Sequence, residues 1–238
     1  MIAGVLALVV VASAVAAWGG SDPPHNYPVT AVPYYCTSAP MGKKCVNAAV
    51  YYLDKARAKV GLPAYKLPAG FPWLTPAEQM FILTNLDRVQ YGLPPITGLT
   101  AALTHDALVR GVELGTDPSP SATANVETWR SNWAAGYRNA PLAYEAWVWD
   151  DGLGSGNFDC TKTVTSGCWG HRHNILWKFG SGAVLAMGAV AGWGPTHGKG
   201  YAMLLVGGSS SYKPTYSYTW SQAVAAGAGT NTYHPGAP

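Results

Sequence analysis

Apolar residues recur at three-and-four spacing in four segments of the chain, the spacing that keeps them on one face of an α-helix. This pattern predicts helices over residues 46–60, 76–91, 101–114 and 140–150. The second helix has the clearest start, because Thr75 is its N-cap, Pro76 is its first helical residue and Glu78 completes a capping box. Gly61 and Gly92 follow the first two helices and are typical of helix ends.

Two further apolar runs, 183–193 and 201–206, flank a turn-rich segment and predict a β-hairpin. Residues 203–206 are continuously apolar, which is typical of a strand buried on both faces. Helices that come before a strand pair of this kind in the sequence predict a sandwich in which the sheet lies between two layers of helices. The small residues Ala107 and Gly111 indicate that the third helix approaches another element closely. We therefore expect an α+β fold: a three-layer α-β-α sandwich with a small, largely antiparallel central sheet.

The N-terminus predicts export. Residues 1–17 are an apolar and small-residue run that ends in Ala14, Val15 and Ala16, the small-x-small pattern of signal-peptide cleavage. A retained membrane anchor is the alternative, since no lysine or arginine precedes the run. The run is shorter than the roughly 20 residues of a spanning helix, so we expect no stable membrane span. The expected location is secreted or cell-envelope associated.

Composition divides the rest of the chain into three parts. Residues 18–73 form an expected N-terminal arm with a disulfide-tethered helix, and residues 74–208 form the main domain. Residues 209–238 form a tail rich in Ser, Tyr and Gly, in which 215–220 is a candidate edge strand. The net charge of +3 comes without a basic stripe, which excludes a nucleic-acid partner. The ten Trp and fourteen Tyr residues serve either as core bulk or as a ligand-stacking surface.

The four cysteines are predicted to form two local disulfides, Cys36 with Cys45 and Cys160 with Cys168. Three pairings are formally possible, but short loops cost the least entropy to close. A four-cysteine zinc site is the alternative, and the spacings do not match its usual Cys-x-x-Cys pairs. The second disulfide would fix the chain just before His171, in the most chemically varied stretch of the sequence.

Four motifs follow one another along residues 74–207. They are the Asn-x-x-Arg and Gly-Leu-x-Pro of residues 85–95, Asn132–Gly136, Trp147–Asp150 and the Gly-His-Arg-x-Asn-Ile-Leu of residues 170–176. In this order they resemble the CAP superfamily, the domain of cysteine-rich secretory proteins, venom antigen 5 and plant pathogenesis-related proteins. The resemblance implies an α-β-α sandwich, secretion, and a shallow cleft lined by two histidines and two acids that binds zinc in some members.

The resemblance carries over only in part. His171 matches the cleft histidine, and Asp150 stands where the family has the glutamate of Trp-x-x-Glu. Ser131 occupies the position of the other glutamate, and Asp117 lies nearest to the missing histidine. Zinc is normally held by three or four protein ligands, so His171 and Asp150 would form at most a weak zinc site. No other cofactor is expected.

Two further interpretations of these residues remain open. Ser131, His171 and Asp150 have the residue types of a nucleophile, a base and an orienting acid, although Ser131 lacks the Gly-x-Ser-x-Gly elbow. Alternatively, His171 is structural, with ring nitrogens that bond Asp150 or backbone groups.

The function expected from these observations is a secreted CAP-domain binding or interaction module. Its ligand cleft would contain His171, Asp150, Ser131, Asn132 and Asp117, and its partner would be a small apolar or envelope-derived molecule. The alternative is a hydrolase acting on cell-wall, lipid-ester or peptide substrates through His171 as base with Asp150, with Ser131 as a candidate nucleophile. A third possibility is a structural extracellular domain whose aromatic surface adheres to a polymer. The sequence predicts no oligomeric state.

Overall fold

The structure, a computed structural model, describes residues 20–231 and 233–238, so the predicted signal peptide lies outside the described residues. The helices are α1 (Tyr35–Ser38), α2 (Lys43–Lys59), α3 (Pro76–Gln90), α4 (Ala101–Asp106), α5 (Ala140–Trp149), α6 (Gly170–Ile175) and α7 (Trp220–Ala225). The strands are β1 (Gly98–Leu99), β2 (Val126–Ala135), β3 (Val184–Gly194), β4 (Gly198–Gly208) and β5 (Tyr218–Thr219). A 3₁₀ turn covers Phe71–Trp73, and a π-helical turn over Ala107–Val112 continues α4.

One sheet with strand order β2-β4-β3-β1-β5 forms the middle of the molecule. Neighbouring strands are antiparallel, except that β1 runs parallel to β3. The predicted hairpin is β3 with β4, and β4 is buried on both faces as its continuous apolar run predicted. Tyr201, Met203 and Leu205 enter the largest core cluster, whereas Ala202, Leu204 and Val206 pack on the opposite side of the sheet.

Helices cover both faces of this sheet, which confirms the predicted α+β sandwich. Helices α2, α3 and α5 bury their apolar faces in the larger core. Helix α4 and the π turn pack directly against the other face of the sheet. The contact is so close that a Cβ added at Gly188 would lie only 2.0 Å from the backbone carbonyl carbon of Leu103. A Cβ at Gly111 would lie 2.8 Å from that of Ala202, which confirms the predicted close approach of this helix.

The segments assigned to an arm and a tail are packed on the main domain. Val46, Val50 and Leu53 of α2 lie in the same core cluster as the sheet residues. At the other end of the chain, β5 pairs with β1 at the sheet edge, so the predicted edge strand is confirmed. The division at residues 74 and 208 therefore does not separate independent cores.

Both predicted disulfides are present. Cys36 joins Cys45 with their Cα atoms 5.1 Å apart, and Cys160 joins Cys168 with their Cα atoms 4.5 Å apart. Among the described residues, no helix has the length and apolar character needed to cross a membrane.

Candidate functional site

A cleft of ≈ 590 Å³ opens beside β2, the edge strand of the sheet. The end of β2, the end of α5, the loop that follows α5, the start of α6, the segment after the π turn and the β3–β4 turn all contribute to it. Its polar and aromatic walls come from Asp117, Trp133, Tyr137, Trp147, Asp150, Asp151, Phe158, Asp159, His171 and His197. The cleft thus combines four carboxyl groups with aromatic surfaces.

His171 is held by Asp151. The ring atom Nδ1 lies 2.6 Å from Oδ1 of Asp151, and the backbone N–H of His171 donates to Oδ2 of the same carboxyl at 2.9 Å. The Asp151 side chain is 2% exposed and that of His171 is 17% exposed. An ionised carboxylate only accepts hydrogen bonds, so Nδ1 carries the proton and Nε2 is the basic nitrogen of the neutral ring.

Asp151 is itself fixed by its surroundings. Asn157 donates its side-chain N–H to Oδ1 of Asp151 at 2.8 Å. The backbone N–H of Trp169 donates to the Asp151 carbonyl at 3.0 Å. Trp169 has a left-handed backbone (φ 62°) at the start of α6, an uncommon conformation for a residue other than glycine. These contacts turn the chain sharply and present the carboxyl of Asp151 to the first turn of α6.

The charges around His171 raise its pKa. Burial alone lowers this pKa, but the hydrogen bond and charge of Asp151, with the charges of Asp117 and Asp159, outweigh that effect. Burial in turn raises the pKa of Asp151 and, with the charge of Asp151, that of Asp150. The walls of the cleft also remove hydration from Asp117 and raise its pKa, partly offset by His171 and by the backbone N–H of Trp133.

Side chains cover the free edge of β2 next to the cleft. Asn174 donates to the carbonyl of Ser131 at 2.7 Å, and the indole N–H of Trp147 donates to the carbonyl of Trp133 at 3.1 Å. Because an uncovered edge strand offers hydrogen bonds to other chains, these contacts remove a site of strand addition.

The structure corrects the predicted partner of His171. Asp150 lines the cleft but makes no hydrogen bond or ion pair with His171; the neighbouring Asp151 makes both. Helix α5 ends at Trp149, and Asp150 follows with a non-helical backbone (φ −133°, ψ 52°), so adjacent side chains leave the helix in different directions. The predicted cleft positions of Asp150, Asp117 and His171 agree with the structure.

Ser131 and Asn132 do not belong to the cleft lining, contrary to the sequence-based expectation. The part of β2 that lines the cleft is its end, Trp133 to Ala135, whereas Ser131 lies earlier on the strand and pairs with Leu204. Asn132 is fully buried and donates to the His171 carbonyl at 2.9 Å. The triad of Ser131, His171 and Asp150 is therefore not assembled, and Asn132 instead ties α6 to β2.

The described residues contain no group of three or more His, Cys, Asp or Glu side chains that could hold a metal ion. The donor set around His171 therefore does not fit the zinc site that the family resemblance implied.

Sequence reasoning did not assign Asp151, Asp159, Tyr137, Trp133, Phe158 or His197 to the cleft. Only Asp151 carried a usable signal, because it directly follows the predicted acid. The others reach the cleft from separate loops and strand ends, which no local pattern relates to His171. Comparisons of the chain with known protein families, with curated proteins and with solved structures found no match.

Proposed function

We propose that this chain is a secreted CAP-domain protein that binds a small, envelope-derived ligand in the cleft at His171. The family motifs, in their order along the chain, and the α-β-α sandwich support this assignment. Two disulfides in the described residues are compatible with export. The observation that carries the binding function is the cleft itself, in which carboxyl groups that form no ion pair within the described part of the chain lie among aromatic side chains.

The charges of the cleft favour a ligand that donates hydrogen bonds or carries a positive group. Asp117, Asp150 and Asp159 form no ion pair within the described part of the chain, and none of its lysines or arginines lines the cleft. Aromatic faces attract organic cations and also pack against apolar groups. A ligand with an amine or several hydroxyl groups on an apolar frame matches both properties.

Isothermal titration calorimetry with three benzyl probes tests this function. Benzyltrimethylammonium is positive, benzyl alcohol is neutral and phenylacetate is negative, while the ring stays the same. We expect the cation to bind most tightly, and Asp117→Asn to weaken its binding several-fold because a cleft charge is lost. Glu127→Gln, which removes an exposed carboxyl outside the cleft, is the matched control. Equal binding of all three probes, or an unchanged affinity in Asp117→Asn, would contradict the proposal.

A hydrolase is the second candidate, and the His171–Asp151 pair is the observation that favours it. Nε2 of His171 would take a proton from an attacking water, while Asp151 would orient the ring and stabilise its protonated form. Water replaces Ser131 as the nucleophile in this mechanism, because Ser131 lies outside the cleft lining. The substrates would be cell-wall, lipid-ester or peptide molecules that fit the aromatic walls.

Activity against ester and peptide substrates tests this alternative. Asp151→Asn should lower kcat by about a hundredfold or more, since it removes the group that orients the general base. Ser131→Ala should retain full activity. An unchanged kcat in a folded Asp151→Asn variant would rule out this mechanism.

A further inference from the structure

An N-terminal strap, which we define as residues 20–27, lies across the part of the molecule that forms the His171–Asp151 pair. The sequence predicted only that these residues belong to an N-terminal arm. In the structure, the strap contacts the end of α5, the residues that follow it, and α6. These are the two elements from which Asp151 and His171 approach each other.

Hydrogen bonds to the strap hold the chain on both sides of Asp150 and Asp151. Tyr27 donates its backbone N–H to the carbonyl of Trp149 at 2.7 Å, just before Asp150. Asn26 accepts the backbone N–H of Gly152 at 2.7 Å, just after Asp151, and donates to the carbonyl of Leu153 at 3.0 Å.

The fit at this point is close. A Cβ on Gly152 would lie 2.8 Å from Oδ1 of Asn26 and 2.7 Å from the ring of Trp169, so only glycine fits between them. The Asn26 amide uses its oxygen as an acceptor and its nitrogen as a donor, a combination that an aspartate or an alanine cannot supply.

The strap residues Ser21 and Asp22 contact α6. Arg172, which directly follows His171, is 1% exposed and donates to the carbonyl of Ser21 at 3.3 Å. The same guanidinium donates to the carbonyl of Val148 at 3.2 Å, so it links the strap, α5 and α6. Asp22 lies 2.8 Å from Nε2 of His173 on the more exposed side of α6.

From these contacts we infer that the strap is a positioning element of the cleft. It fixes the peptide that carries Asp150 and Asp151 relative to α6, and thereby holds the carboxyl of Asp151 against the ring of His171. Asn26 is its central positioning residue. The inference deepens the proposed function and concerns the same cleft, but its test needs no ligand. Its failure is therefore distinguishable from a failure of the proposed binding function.

The test is the Asn26→Ala substitution in the full chain, with the His171 ring titrated by NMR. Asp151, Asp117 and Asp159 are the charges that raise the pKa of this ring. A loosened Asp151 should therefore shift the titration midpoint of His171 downward. The backbone amide of His171, which donates to Asp151, should exchange with solvent on the order of tenfold faster.

Asn47→Ala is the matched control. Asn47 lies in α2 and accepts a hydrogen bond from Tyr233 at 2.9 Å, so the substitution also removes an asparagine that secures a terminal segment. It should leave the titration and amide exchange of His171 unchanged. A folded Asn26→Ala protein with the parental titration and exchange of His171 would overturn the inference and leave the strap a purely structural contact. If Asn26→Ala does not fold, Asn26→Ser decides by the same two measurements, because its side chain stays polar but is one atom shorter and has no amide to repeat both contacts.

Discussion

At the scale of single residues, the site depends on which carboxyl groups are partnered. Asp151 is buried and satisfied by His171 and Asn157, whereas Asp150 beside it has no such partner among residues 20–231 and 233–238. Glu145, one turn earlier on α5, is 3% exposed, and its Oε1 has no hydrogen-bond partner among the described residues. Burial, with the charge of Asp150, raises the pKa of Glu145 to about 9. With a pKa of about 9, this buried carboxyl group of α5 is protonated at neutral pH.

Glu145 should make the protein less stable as pH rises. Between its unfolded pKa of 4.5 and its folded pKa of about 9, the folded state binds a proton that the unfolded state has released. The free energy of unfolding then falls by up to about 1.4 kcal/mol per pH unit over this range. Glu145→Gln should have the same free energy of unfolding as the parent protein at about pH 4 and a higher one at about pH 8. Urea denaturation at a series of pH values measures this difference.

Glu113→Gln is the control for that experiment, because Glu113 is exposed just after the π turn. Its stability should follow the parental pH dependence. If the free energies of unfolding of Glu145→Gln and of the parent changed in parallel with pH, Glu145 would be shown to be ionised in the folded protein.

At the scale of elements, a buried ion pair joins three helices. Asp87 of α3 pairs with Arg57 of α2 and accepts hydrogen bonds from the hydroxyls of Tyr65 at 2.6 Å and Tyr144 at 2.7 Å. Tyr144 belongs to α5, so this one carboxyl connects α2, α3 and α5. Burial, followed by the charge of Asp87, raises the pKa of both tyrosines and keeps them neutral donors.

Asp87→Asn should lower the free energy of unfolding by about 3–5 kcal/mol, because it leaves the buried guanidinium of Arg57 without a charged partner. Chemical denaturation followed by circular dichroism measures the loss. The comparison variant is Arg110→Gln, which breaks the Arg110–Asp106 pair, where Arg110 is 45% exposed. That change should cost less than about 1 kcal/mol, because the guanidinium of Arg110 is largely solvated and the buried Asp106 keeps its two hydrogen bonds from Ser121. Similar losses in the two variants would contradict the distinction between a fully buried pair and one with an exposed guanidinium.

At the scale of the whole molecule, the two disulfides secure different regions. The pair of Cys36 and Cys45 connects α1 to α2, on the helical side of the larger core. The pair of Cys160 and Cys168 closes the loop that leads from Phe158 and Asp159 at the cleft to the start of α6. Both loops are short, so each disulfide should stabilise the fold by a similar amount.

Replacing either pair by serines should lower the free energy of unfolding by about 2.5 kcal/mol, the loop-closure value for such short loops. Only the Cys160→Ser and Cys168→Ser variant should also speed the hydrogen exchange of the Asn157 and His171 amides. The control is the Cys36→Ser and Cys45→Ser variant, which loses the other disulfide through the same kind of substitution. Faster exchange at both amides in the control would show that the second disulfide has no special role at the cleft.

Much of the fold could be predicted because its signals are local. The capping box at Thr75 is formed by contacts three residues apart, and both side chains make them in the structure. The both-face burial of β4 follows from its own apolar run, and each disulfide joins cysteines no more than nine positions apart. In these cases the residues that interact are also neighbours in sequence, so a short pattern contains the information.

The strand β2 and the site beside it could not be predicted in this way. At the sheet edge, β2 mixes Trp, Arg, Ser and Asn without the clean alternation that identifies a half-buried strand. The selection of Asp151 over Asp150 depends on how the chain leaves α5, and the contact of Asn26 with Gly152 spans 126 positions. Sequence proximity says nothing about such pairs; only the packing of α5, α6 and the strap against one another brings them within hydrogen-bonding distance.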